Sequence, residues 1–110
     1  ARLLCAWIFN HGSDCIMSIE TVIQRTADEF GVDPRDILTG CSTRPVSAAR
    51  AVCAFLLRQQ MSCRQIGSLF RKDRRYRRIS VKRVHARSAK DHGYFVRVMK
   101  LTEEFGVDWA

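Results

Sequence analysis

Within residues 30–34 (FGVDP) the chain closes one helix and opens the next. Gly31 supplies the left-handed position that ends a helix. Asp33 can cap a new N-terminus, and Pro34 suits the first helical position because its missing N–H has no partner there anyway. Upstream, Ser18 reads as an N-cap. Ile19, Val22, Ile23, Ala27 and Phe30 recur at spacings of three and four, which gives one apolar face to a helix. Downstream, Pro34–Leu38 reads as a short helix that sends Ile37 and Leu38 to the core.

The rest of the chain keeps the same grammar. Residues 39–46 (TGCSTRPV), with Gly40 and Pro45, read as a loop. Ser47 reads as the cap of a helix, SAARAVCAFLLRQQ, in which Ala48, Ala51, Val52, Phe55 and Leu56 form a stripe. Arg44 then falls in the loop and Arg50 in the first turn. A cation there opposes the helix dipole, and a bound phosphate would reverse that balance; the other reading of Arg50 is an exposed helix residue. Ser62-Cys63-Arg64-Gln65 is a capping box, followed by Ile66, Leu69 and Phe70 at core spacing. Gly67 costs this helix about 1 kcal/mol relative to Ala, which a close approach by another helix would explain. Residues 79–90 resume helical spacing with Val81, Val84 and His85 on one side. Residues 94–105 place Phe95, Val98, Met99, Thr102 and Phe105 on one face before Gly106.

No segment alternates polar and apolar residues as a half-buried strand does, and there are no repeats. The expectation is an all-α domain of five to six helices over residues 18–105, containing a helix-turn-helix at about 62–90. Residues 1–17 form an N-terminal extension: an apolar stretch at 3–9 (LLCAWIF) and a turn-rich break at 10–14. It is either a short helix packed on the domain or the end of an upstream unit.

Charge narrows the function. The 110 residues suit one domain, and the formal charge is +8. Residues 71–90 hold ten Arg or Lys against one acid, Asp73, while the remainder is near balance. Such asymmetry points to a polyanion, most often nucleic acid; a solvated basic helix face is the plainer reading. No apolar run approaches the ~20 residues of a membrane-spanning helix. The five cysteines include no C-x-x-C pair, so zinc-ribbon spacing is absent. Cys53 and Cys63 read as small core residues. Cys5, His11 and Cys15 could clasp a metal but lack a fourth ligand. Reduced thiols fit the cytoplasm. No paired carboxylates, Ser/His couple or metal cluster is evident, so neither enzyme activity nor a cofactor is expected.

A helix-turn-helix presents its second helix to the major groove of double-stranded DNA. Arg77, Arg78, Lys82 and Arg83 lie in or just before that helix, with Ser80 among them. Arg71, Lys72, Arg74 and Arg75 fill the connection. Arg grips phosphate and can read guanine through O6 and N7. Tyr76 either bonds a phosphate or anchors the turn as an apolar group, and His85 reads as a half-buried helix residue.

The stretch VIQRTADEFGVDPRDILTG…TRPVSAARAVCAFLLRQQMSCRQIGSLF resembles the C-terminal DNA-binding domain of the bacterial replication initiator DnaA family, over roughly residues 18–90. The likeness rests on Asp36-Ile37-Leu38 in a short second helix, an arginine in the following loop, an arginine early in the long helix, and the IG..F pattern of residues 66–70. It implies a Trp-repressor-like helix-turn-helix fold and binding of double-stranded DNA of the DnaA-box type, in replication initiation, its regulation or transcription control, on the nucleoid. It implies a minor-groove role for Arg44 and a backbone or base-edge role for Arg50. In the family a glycine, an Arg-Asp-His triplet and two threonines follow IG..F. Here residues 71–81 read RKDRRYRRISV: Asp73 remains, Arg74 replaces the His, and the threonines are gone or displaced to Ile79-Ser80. The family's ATPase module has no counterpart here, since no G-x-x-x-x-G-K-[ST] loop is present, so no nucleotide is expected in this chain. The reading is then a detached domain or a stand-alone relative. Two other readings fit the charge: a basic RNA-binding or non-specific polyanion module, and a protein-interaction domain that has lost DNA readout.

Overall fold

The computed structural model of the chain describes residues 18–39 and 43–109. Six α-helices and no strand make up these residues: α1 (Ile19–Phe30), α2 (Pro34–Leu38), α3 (Arg44–Leu57), α4 (Cys63–Leu69), α5 (Tyr76–Lys90) and α6 (His92–Phe105). The all-α expectation holds. The N-terminal extension, the Cys5/His11/Cys15 grouping and Gly40 lie outside the described residues.

The punctuation works as chemistry. Ser18 Oγ accepts from Thr21 N, and Gly31 ends α1 at φ 66°. Asp33 accepts from Arg35 N at 2.8 Å and Pro34 opens α2. The Ser62–Gln65 box is closed in both directions, at 2.8 and 3.2 Å. Asp91 ends α5 and caps α6 by accepting from Tyr94 N at 3.1 Å, so the last two helices meet at one residue.

α3 is the spine. Its residues 49–57 are buried all round, as befits a helix enclosed by others. α1, α2, α5 and α6 pack against it. Val22, Ile37, Val52, Phe55, Leu56, Ile66, Phe70, Val84, Val98 and Leu101 fill the centre. Cys53 is fully buried there, and that burial pushes its thiol up to about 12. Cys63 is half-buried rather than core.

Three boundaries differ from expectation. α3 begins at Arg44, not after Ser47. Pro45 sits in the first turn, where it needs no N–H partner, so it opens the helix instead of marking a loop. Arg44 is thus the first helical residue, and Arg50 lies well inside. α5 begins at Tyr76, three residues ahead of the spacing, because Asp73 accepts from Arg75 N at 2.7 Å and from Tyr76 N at 3.0 Å. α6 begins at His92 on its Asp91 cap.

The chain also continues usefully past α6. Gly106, at φ 66°, closes a Schellman turn in which Val107 N donates to Thr102 O at 2.9 Å. Trp109 then packs edge-on against Phe55 and Phe95 and lies 4.7 Å from the His85 ring. Its carbonyl bonds His85 Nε2 at 2.8 Å. This tail braces α5 from behind.

Candidate nucleic-acid interface

α4, the turn at 70–75 and α5 form a helix-turn-helix whose pieces lock locally. Gly67 faces the turn: a Cβ there would stand 2.7 Å from Asp73 O and 3.0 Å from Lys72 O. The close approach is therefore made by turn backbone rather than by another helix. Lys72 N also donates to Gly67 O at 2.8 Å. Tyr76 is buried with its ring 6.0 Å from Phe70, so it is the apolar anchor of the turn.

α5 divides by its own period. Tyr76, Ser80, Val84 and Ser88, four apart, are buried. Arg78, Ile79, Lys82, Arg83, Ala86, Arg87, Ala89 and Lys90 are exposed. Arg77 stands between the two faces, and its Nε and Nη2 donate to Arg58 O at 3.0 and 2.7 Å. It satisfies an orphan carbonyl at the end of α3, helped by Nη1 at 3.8 Å from Cys63 Sγ. Ser80 Oγ donates to Arg77 O at 2.9 Å on the buried stripe. Ser80 is buried, which corrects its DNA-facing reading, and Arg77 is half-buried with its guanidinium turned to the frame.

Arg50 is corrected as well. It is 1% exposed. Its Nε donates to Ile37 O at 2.7 Å and its Nη2 to Asp36 O at 3.0 Å. These are carbonyls of the last turn of α2, where helical hydrogen bonding runs out; Asp36 O also accepts from Thr39 N at 3.4 Å. The guanidinium is a buried tie between two helices, not an exposed cation.

The remaining expected residues are exposed: Arg44, Arg71, Lys72, Arg74, Arg75, Arg78, Lys82 and Arg83. All of them but Arg71 and Lys72 line one of two clefts beside α5. One, between the start of α3 and the outer side of α5, is lined by Arg44, Arg83, Arg87 and Lys90, with Asp91 the one acid, over a floor that includes Ala48, Ala51 and Ala86. The other is lined by Cys63, Arg74, Arg75, Arg78, Ile79 and Lys82. Arg87 and Lys90 were absent from the sequence-based set, although their spacing from Arg83 already put them on its face. Arg87 also lies 4.9 Å over the Tyr94 ring.

The electrostatics of the turn favour an anion. Asp73, the one acid of residues 71–90, is taken up by Arg75, whose side-chain and backbone hydrogen bonds hold its carboxyl below the usual range. α5 has no acid in its first turn and no side-chain cap bond, and its first turn carries Arg77 and Arg78. Positive charge there opposes the dipole; a phosphate would relieve both. Arg71 is the one non-glycine residue at positive φ, 57°, among the described residues. A left-handed L-residue costs roughly 1–2 kcal/mol. The chain bears that cost at an exposed arginine of the turn.

Among the described residues no group of His, Cys, Asp or Glu could hold a metal ion, and no helix is long and apolar enough to cross a membrane. A search of curated proteins found no match for the chain. The model of one family, the bacterial DnaA protein helix-turn-helix, matches residues 19–84. That match runs from the first residue of α1 through the turn and into the middle of α5, and takes in the whole of α3 and α4. Arg87, Lys90, α6 and the Trp109 tail lie beyond it. The match spans more than half of the chain, and the folded order of helices agrees with it: the chain belongs to the bacterial DnaA helix-turn-helix family, a family of DNA-binding domains.

Proposed function

We propose that the chain binds double-stranded DNA with α5 in the major groove, acting at DnaA-box-type sites in replication initiation, its regulation or transcription control, in the cytoplasm on the nucleoid. One observation carries this reading. On the outer face of α5, the second helix of a helix-turn-helix, five of the eight exposed residues are Arg or Lys and none is acidic, and a cleft lined by cations lies on either side of it. Arg44, at the start of α3, reaches toward an adjacent minor groove. Arg83, Arg87 and Lys90 hold one phosphate strand, and Arg71, Lys72, Arg74 and Arg75 the other. Arg50, Arg77 and Ser80 act behind them, as scaffold. In this reading the protein's work is recognition.

Fluorescence anisotropy tests this with a duplex carrying the family's thymine-rich nine-base-pair box, a scrambled duplex, and two salt concentrations. If ~6 phosphates are neutralised, log K falls with a slope near −5 against log salt. Preference for the box supports action at the family's sites. Equal, salt-sensitive binding to both duplexes removes the box and keeps DNA binding. No duplex binding at low salt, or displacement by structured RNA ahead of duplex, refutes the proposal.

A further inference from the structure

Ile79 and Val96 are the exposed large hydrophobic residues among those described, at 38% and 46%. A single exposed apolar side chain is ordinary; the place of Ile79 is not. It sits in the first turns of α5, the part of a reading helix that meets base edges. It lines the cleft with Arg74, Arg75, Arg78 and Lys82. Among the four cations of this cleft, a butyl group adds no grip on phosphate. In the major groove, the apolar group that base edges present is the methyl on pyrimidine C5.

We infer that Ile79 reads a pyrimidine 5-methyl group in the major groove. The inference rests on the duplex-binding reading above. Two bases carry this methyl, thymine and 5-methylcytosine, and the chemistry of contact is the same for both.

The test begins with selection of preferred duplexes from a random library by the full chain. In the selected duplex each thymine is then replaced singly by deoxyuridine, and each cytosine by 5-methylcytosine. Anisotropy is measured for the wild type and for Ile79→Ala. Ile79 is exposed, so the variant keeps its fold, which a melting curve verifies. The expected result is one position where the methyl tightens wild-type binding about fourfold, equivalent to one methyl-sized group leaving water at roughly 0.8 kcal/mol. At that position the variant responds by less than twofold. Loss on removing a thymine methyl identifies thymine; gain on methylating cytosine identifies 5-methylcytosine. Equal methyl responses in the two proteins, or none in either, overturn the inference. Duplex binding without any sequence preference overturns it too and leaves the proposed function standing, whereas failure to bind duplex overturns both.

Discussion

Replacing Arg50 separates a structural arginine from a DNA-contacting one. Its guanidinium makes charge-assisted bonds of 2.7 and 3.0 Å to the carbonyls of Ile37 and Asp36. Arg50→Ala leaves both acceptors at the end of α2 without that donor and opens a hole beside α3. Each hydrogen bond from a charged group is worth roughly 1.5–3 kcal/mol, so the two together are worth about 3–5 kcal/mol. Whole domains are stable by only about 5–15 kcal/mol. For a domain of this size 1 kcal/mol moves Tm by about 4–8 °C, so Arg50→Ala should melt some 15–25 °C lower, or fail to fold at 37 °C. Arg50→Met refills the volume and still strands the carbonyls, so it should recover only part of the loss. Circular dichroism melts give the stability, and anisotropy well below both midpoints gives the affinity. The surviving folded fraction should bind duplex nearly as the wild type does. A variant that melts within about 5 °C of wild type yet no longer binds would refute the burial argument and return Arg50 to the DNA-facing set.

Other perturbations have defined outcomes. Arg71→Gly removes left-handed strain and should raise stability by about 0.5–1 kcal/mol, while the salt slope of duplex binding becomes shallower by about 1; an unchanged slope would mean that Arg71 meets no phosphate. Gly67→Ala gains helix propensity but drives a Cβ to within 2.7 Å of Asp73 O. Such overpacking costs roughly 1–3 kcal/mol, so a net rise in Tm would contradict the close approach. Arg25 donates to both oxygens of Glu104 at 2.8 Å, tying α1 to α6. That bond holds the Glu104 carboxyl below its ordinary value, so the stability it adds is present above about pH 4.3 and lost as pH falls through the lower folded value. Glu104→Gln should cost under about 1 kcal/mol at pH 7, as a largely exposed pair does, and nothing near pH 2. Urea titrations at the two pH values decide it.

The helices were legible where a side chain speaks to its own backbone. Ser18, Gly31, Asp33-Pro34, the Ser62–Gln65 box and Gly106 act within a few residues, and each ends or starts an element as read. The boundaries that moved depend on a weaker local signal or on tertiary anchors. Pro45 is compatible with a loop and with a helix start, and the start of α5 is set partly by Tyr76 packing on Phe70. The tail at 107–109 was missed because its residues show no period; Arg58, the partner of Asp108, and His85 and Phe55, the partners of Trp109, are remote in sequence.

The site was legible as charge and not as direction. An arginine is the same letter whether it grips a phosphate or caps a helix, and in water its guanidinium is satisfied either way. What sorts the arginines here is a carbonyl within reach at a helix end. Arg50 and Arg77 find such carbonyls at the ends of α2 and α3, and Arg58 finds Phe55 O and Asp108 O. These chain ends come within reach only after the helices pack. Arg44, Arg78, Lys82, Arg83, Arg87 and Lys90 stand on exposed faces instead. Three arginines thus hold the frame from inside, and the outer row remains to meet a polyanion. It follows that neutralising Arg83 or Arg87 should change affinity and salt slope with little change in Tm, whereas neutralising Arg77 should do the reverse.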